Sequence, residues 1–344
     1  MTFNRSEQPR TVIVTGAAAG IGRAIAHRFA SGGDRIGLIA RDADALAAVR
    51  REIRSMGAEA EFAVADVADA EAVFAAAEQL EQKLGDTDIW INNAMETVFS
   101  TVADMSPEEF RRVTEVTYLG FVHGTMAALK SMRPRRKGHI MQMGSALAYR
   151  GIPLQSAYCG AKHAIRGFTD SLRAELIAED SNIKLTVIDL PAVNTPQFDW
   201  ARAHIGRQPR PMGRPVQPEV VADAVFRAAE GRWREYWLGF STMKMVLGSF
   251  VAPGYVDTYL ARHAFAGQQR RKRIAPDRED NLDHPITELH RTRGSFSSEA
   301  RESAPLIAGE VVRAGAIAAG ALFFFGLGAS LGAGWRSRRD ASHR

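Results

Sequence analysis

The stretch TVIVTGAAAGIG, residues 11–22, decides how the rest of the chain is read. TVIVTG (11–16) is a short apolar run rich in β-branched residues and closed by glycine, which predicts a buried strand. IGRAIAHRFASGG (21–33) follows with Ile21, Ile25 and Phe29 at helical spacing, and its terminal glycine pair ends the helix. Between the two, Gly16, Gly20 and Gly22 fit a tight turn whose backbone can approach a pyrophosphate at a helix N-terminus. The spacing is G-x-x-x-G-x-G.

Outward from this unit the alternation repeats. RIGLIA (35–40), EAEFAVAD (59–66), TDIWINNA (87–94), GHIMQMGS (138–145) and IKLTVIDLP (183–191) read as strands. Residues 42–57, 69–85, 156–180 and 217–231 read as helices, as does a segment from Ser106 to about Met132. Ser106, Pro107 and Glu109 suit the N-cap, N1 and N3 positions of that last helix. Apolar strands alternating with helices predict an α/β, doubly wound parallel sheet covered on both faces, a Rossmann fold. We assign residues 1–240 to that single catalytic domain. Residues 241–265 read as a helical extension. Residues 266–305, rich in Arg, Asp, Ser and Pro, read as a flexible linker. Residues 306–344 read as an apolar membrane-anchoring segment with a basic tail.

The chain has 344 residues, is 46% hydrophobic and carries a formal charge of +5, values compatible with a sizeable core. Its arginine runs, such as RPRRKG (133–138) and QQRRKR (268–273), lack an interleaved aromatic platform or a base-reading helix, so no nucleic-acid partner is expected. One cysteine, Cys159, excludes an internal disulfide framework and fits a reducing compartment. The opening MTFNRSEQPR has no apolar core of a secretory signal, so the catalytic domain is expected in the cytoplasm.

The second strand ends in IARD. An acidic residue at that end would bind a free ribose 2′-hydroxyl, whereas a basic one accommodates a 2′-phosphate. Arg41 occupies the place, with Asp42 free to cap the next helix, so NADP(H) is favoured over NAD(H).

TGAAAGIG (15–22), NNA (92–94), Ser145 at a strand end, and Tyr158-x-x-x-Lys162 follow in order. In this ordered set, over roughly residues 10–240, the chain resembles the short-chain dehydrogenase/reductase family. The resemblance implies an oxidoreductase of carbonyl or alcohol groups (EC 1.1.1.-) in which Tyr158 is the acid/base. Tyr158 and Lys162, at i and i+4, share a helix face, and a neighbouring ammonium is expected to lower the phenol's pKa. By resemblance, Lys162 also binds the nicotinamide ribose and Ser145 hydrogen-bonds the substrate oxygen. Cofactor contacts are implied for Gly16, Ala19, Gly20, Ile21, Gly22, Arg41, Asp66, Val67, Asn93, Ala94, Tyr158, Lys162 and Thr195, with Asn92 in the same stretch. No metal is implied. A homo-oligomer through the helices at 106–132 and 156–180 is implied as well.

Three positions depart from the family pattern. Met95 and Ala192 replace glycines, and Thr117 stands where a catalytic asparagine is common, as in a subset of the family. They motivate an alternative reading, a cofactor-binding regulator or scaffold with weak or no turnover. Leu147, Tyr149, Phe198 and Trp200 lie in segments that shape the family's substrate pocket and suggest a hydrophobic substrate.

AGAIAAGALFFFGLGASLGAG (314–334) carries no charge and is long enough to cross a bilayer. Its large apolar residues supply only about −2 to −4 kcal/mol, so insertion is marginal. Gly328 and Gly332 would allow close helix pairing. A single span would carry the basic tail across, against the positive-inside tendency, so a transmembrane anchor, a re-entrant or surface-lying segment and an oligomer-buried segment all remain open.

Overall fold

The computed structural model describes residues 9–275 and 277–318. From the N-terminus, β1 (Thr11–Thr15), α1 (Gly20–Ser31), β2 (Arg35–Ala40), α2 (Ala43–Ser55), β3 (Ala60–Val64), α3 (Ala70–Leu84) and β4 (Ile89–Asn92) follow one another. A two-residue strand β5 (Val98–Phe99) precedes α4 (Pro107–Thr114), a π-helical turn (Glu115–Leu119) and α5 (Gly120–Arg135). Then come β6 (Lys137–Met143), α6 (Ser156–Ala178), β7 (Asn182–Asp189), α7 (Gln197–Trp200), β8 (Arg202–Ala203) and β9 (Arg207–Pro209). The chain continues through α8 (Pro218–Ala229), β10 (Glu235–Leu238), α9 (Gly239–Val251), α10 (Pro253–Gly267), β11 (Gln269–Arg273) and β12 (Leu306–Ala308).

The main sheet has the order β12-β10-β7-β6-β4-β1-β2-β3 and is parallel except for the antiparallel β12. It is the doubly wound α/β Rossmann sheet that the alternation predicts. Alternate residues of each strand face opposite layers. Val12 and Val14 pack with α1, α2 and α8 residues such as Phe29, Leu46 and Val225. Ile13 faces the other way, toward Leu80 of α3, Met132 of α5 and Leu172 of α6. Both faces are covered, which is why the strand sequences are apolar throughout. Ser106 and Glu109 form the expected capping box at α4.

The strand order reverses between β1 and β4, the switch point at which ligand crevices open beyond the C-terminal strand ends. Gly16, Arg41, Asp66, Asn93 and Ser145 all follow such ends.

The expectation of a flexible linker over 266–305 is corrected. This segment forms β11 and then crosses the C-terminal edge of the domain, burying Leu282, Ile286, Phe296 and Ala300. Several of its charges are paired: Arg202 meets Asp280 at 2.9 Å and Asp283 at 2.7 Å, and Arg210 meets Glu299 at 2.6 Å. The boundary at residue 306 moves too. Leu306–Ala308 pairs with β10 in the main sheet, with Trp237 opposite Ile307. Sequence polarity misled here because a few well-placed apolar anchors and many ion pairs hold the segment down. Most of the apolar run 314–334 lies outside the described residues. Among the described residues no helix is long and apolar enough to cross a membrane.

Candidate active site and cofactor cleft

The turn after β1 is tight. Gly16 (φ 67°) and Gly20 (φ 55°) adopt the left-handed region that L side chains avoid. A Cβ at Gly16 would stand 2.8 Å from the Ala94 Cα, so the glycine also lets β1 and the end of β4 approach. The N-cap of α1 is Ala19, which offers no side-chain cap, and no acidic residue occupies the first turn. The helix N-terminus is therefore left electropositive, suited to an anion.

Gly16, Ala19, Gly20, Ile21, Arg41, Asp66, Val67, Asn93, Ala94 and Thr195 line one cleft. Gly22 does not; its missing side chain makes room for the Gly16 carbonyl, which a Cβ would meet at 2.2 Å. Asn93 Nδ2 donates to the Thr15 carbonyl at 2.9 Å, tying β4 to β1. Asn92 is structural, its side chain buried in bonds with Trp90, Thr125 and Gln142. Asp42 caps α2 by accepting from the N–H groups of Asp44 and Ala45. These residues fit a dinucleotide: a glycine cradle, a helix N-terminus without a side-chain cap and a cation at the end of β2.

A second cavity, of about 590 Å³, adjoins the first and shares Ile21, Asn93, Met95, Thr195 and Gln197 with it. Ser145, Tyr158 and Lys162 all line it. Ser145 follows β6, where its N–H donates to Asp189 Oδ1 at 3.0 Å and its hydroxyl accepts from the Leu147 N–H at 3.1 Å. Tyr158 and Lys162 lie in the first turns of α6. Lys162 Nζ donates to the Met143 carbonyl at 2.7 Å and sits 4.5 Å from the Phe121 ring centre.

The electrostatics differ from the expectation that the ammonium lowers the phenol. Burial pushes the Tyr158 phenol up, and only its hydrogen bond with Ser145 pulls the other way. Burial also brings Lys162 down to about 7, with Asp189 opposing. Desolvation wins because Lys162 is buried, Tyr158 is partly so, and the ammonium lies 5.6 Å from the Tyr158 ring centre.

Thr117 is not brought to the catalytic cavity. It lies in the π-helical turn, where its hydroxyl donates to the Glu96 carbonyl at 2.9 Å and accepts from the Glu96 N–H at 3.0 Å. Both capacities of the hydroxyl are used. Leu147 and Phe198 line the catalytic cavity, whereas Trp200 lines the cofactor cleft. Tyr149 lines neither; its hydroxyl donates to Glu235 and its ring packs edge-on against Trp237. Burial pushes the Cys159 thiol up to about 11, which leaves it inert.

The sequence reading missed the far wall of the cleft, made by Asn281, Pro285, Ile286 and His290. It also missed Glu96, which is buried and lies 2.6 Å from Arg41. Nothing in the local sequence of 281–290 marks that wall, since it meets cleft residues far away along the chain, and Glu96 is marked only by its partner Arg41.

A family model of the short chain dehydrogenases matches residues 10–205. An uncharacterized oxidoreductase of Bacillus subtilis, YxnA, is 31% identical over 277 residues, covering 79% of this chain and 77% of the relative. Dehydrogenase/reductase SDR family member 7B of Mus musculus is 39% identical over 188 residues, covering 54% and 58% respectively. Among solved structures, an alcohol dehydrogenase from the archaeon Thermococcus sibiricus, complexed with 5-hydroxy-NADP, is 27% identical. Its TM-score is 0.59, with 67% of this chain and 96% of that one covered. The chain belongs to the short-chain dehydrogenase family of oxidoreductases.

Proposed function

We propose that this chain interconverts a carbonyl and an alcohol on a small hydrophobic substrate, using a nicotinamide dinucleotide. The observation that carries the proposal is the continuity of two cavities: one holds Ser145, Tyr158 and Lys162, and the other holds the glycine turn. When bound, the cofactor supplies or accepts the hydride. Tyr158 donates a proton to the substrate oxygen in reduction and takes it back in oxidation. A phenol held high by burial stays protonated at neutral pH, which suits the reductive direction. Ser145 donates a hydrogen bond to the same oxygen and steadies its developing negative charge. Lys162, enclosed beside them, holds the nicotinamide ribose hydroxyls. Thr117 acts at a distance, by fixing the backbone of Glu96.

NADP(H) is the favoured cofactor because Arg41 stands at the end of β2. The apolar walls, Leu147, Phe198, Met212 and Met245 among them, support a hydrophobic substrate. Attachment to a membrane through 314–334, with the catalytic domain in the cytoplasm, is part of the same reading. Phe250, Val251 and Tyr255 stand exposed at the α9–α10 corner and offer a further apolar surface. Self-association is supported by Phe110 and Met126, exposed on α4 and α5.

The test is oxidation of NADPH and NADH against a panel of hydrophobic ketones and aldehydes, paired with Tyr158→Phe. Turnover that disappears in the variant, with cofactor affinity kept, supports the reading. Tight cofactor binding with no turnover on any carbonyl or alcohol would replace it with the regulator.

A further inference from the structure

A length of the chain itself lies in the cofactor cleft. Residues 277–296 leave β11 and cross the C-terminal ends of β2, β3 and β1, and two of their contacts engage the groups on which a dinucleotide would depend. At one end, the Gly20 N–H donates to the Arg291 carbonyl at 3.0 Å, while Arg23 Nη1 donates to the His290 carbonyl at 2.6 Å. At the other, Arg41 Nη2 donates to the Asn281 carbonyl at 2.6 Å, and Nη1 reaches the carbonyls of Leu282 at 3.3 Å and Asp283 at 3.4 Å. Glu96 Oε1 is also 2.6 Å from Arg41 Nη2. The terminal nitrogens of Arg41 thus face acceptors supplied by the chain.

The crossing segment is fastened at both ends. Leu282 is buried among Val98, Val113 and Ala157, and Asp280 and Asp283 pair with Arg202. Arg291 meets Asp199 at 3.2 Å, and His290 Nε2 lies 3.0 Å from Asp42 Oδ2. The space left in the cleft is about 180 Å³, below the roughly 300–1,000 Å³ of ordinary ligand sites.

The chemistry of these contacts separates a competitor from a wall. A wall presents side chains to the flank of a ligand. Here the segment aims carbonyl oxygens at the Gly20 N–H and at Arg41, which is where phosphate oxygens would be received. A neutral carbonyl is a weak imitation of a phosphate, whose charge-assisted bonds to guanidinium are about twice as strong.

Resting on the functional reading above, we propose that residues 277–296 are an internal competitor for the dinucleotide. The Arg291 carbonyl stands in for a pyrophosphate oxygen at Gly20. The carbonyls of residues 281–283 stand in for the ribose 2′-phosphate at Arg41. Either nicotinamide cofactor must displace the Arg291 contact, whereas only the phosphorylated one gains Arg41 by displacing residues 281–283. The 281–283 end is therefore a specificity-determining element, and the apparent affinity is reduced by the fraction of molecules in which the segment is closed.

Two full-chain variants loosen the two ends separately: Asp280→Ala/Asp283→Ala removes the ties to Arg202, and Arg291→Ala/Ser295→Ala removes those to the Asp199 carboxylate, where the Ser295 hydroxyl donates at 2.5 Å beside Arg291. Dissociation constants for NADPH and NADH are measured by fluorescence titration. Hydrogen exchange of residues 281–294 is followed in the wild type with and without NADPH, and melting confirms that each variant is folded. We expect the first variant to tighten NADPH by about tenfold and NADH by less than about threefold, and the second to tighten both alike. Exchange at 281–294 rises on saturation with NADPH. Weaker binding in the variants, or slower exchange on saturation, would make the segment a clamp that closes over the ligand and overturn the proposal. Unchanged affinities with unchanged exchange would make it a fixed wall, with the same consequence. If no folded protein in the set binds either dinucleotide, the functional reading itself fails and the competitor with it. Should Asp280→Ala/Asp283→Ala not fold, Asp283→Asn and the wild-type exchange measurement carry the test.

Discussion

The ammonium of Lys162 donates to the carbonyl oxygen of Met143 at 2.7 Å, joining the catalytic helix α6 to the end of β6 inside an enclosed pocket. This buried bond does not offset the desolvation of the charge, and the group is held near 7 rather than at its ordinary 10.5. Between those values the unfolded chain binds a proton that the folded chain does not, so stability rises with pH across that window. The penalty is fully present below 7. The difference in melting temperature between wild type and Lys162→Met should therefore shift in favour of the wild type from pH 7 to pH 10. A flat difference would show that the ammonium stays charged.

Ser145 is fixed from two sides, by Asp189 at its N–H and by the Leu147 N–H at its hydroxyl. Removing the hydroxyl takes away a donor aimed at charge that develops only during reaction. Ser145→Ala should lower kcat by about 10²–10³ while cofactor affinity, read by fluorescence titration, is little changed. A drop confined to KM would assign the residue to substrate binding alone.

Thr117 behaves as a structural clasp in this arrangement. Thr117→Val keeps the shape but strands the Glu96 carbonyl and N–H, at a cost of about 1–3 kcal/mol in stability. Chemical denaturation measures it. The pH dependence of kcat should keep its apparent pKa values, since the hydroxyl is committed to the Glu96 backbone. A displaced pH profile without destabilisation would instead place the residue in a proton path.

Glu96 is pushed up to about 8 by burial, against the opposing pull of Arg41 and Arg112. Between its ordinary 4.5 and 8 the folded chain holds a proton that the unfolded chain releases, so this group makes stability fall as pH rises through that range. Relative to wild type, Glu96→Gln should gain melting temperature from pH 5 to pH 8. The opposite trend would mean that the two arginines keep the carboxylate ionised.

Local sequence was enough to predict the Rossmann sheet. Its period-two and helical patterns are short-range, and the glycines at 16 and 20 mark a turn that needs a left-handed backbone. Nearness of Tyr158 and Lys162 was legible for the same reason, because i and i+4 on a helix share a face. Their ionisation was not, since burial outweighs the charge pairing that the spacing suggests. Residues 266–305 were read by composition as a linker, yet composition cannot say that Leu282 has a pocket beside Val98 and Val113 or that Asp280 and Asp283 have Arg202. Tyr149 was assigned to the pocket by position, but its hydroxyl found Glu235, 86 residues away.

The sequence by itself determined the strand–helix alternation, the glycine turn and the order of Ser145, Tyr158 and Lys162, because each is written in neighbours along the chain. Only the tertiary structure decided what faces those groups. The Arg291 carbonyl at Gly20, the carbonyls of 281–283 at Arg41 and the Glu96 backbone at Thr117 are contacts that chain folding, not chain order, brings together. The enclosure that governs Tyr158 and Lys162 is likewise a property of the packed whole.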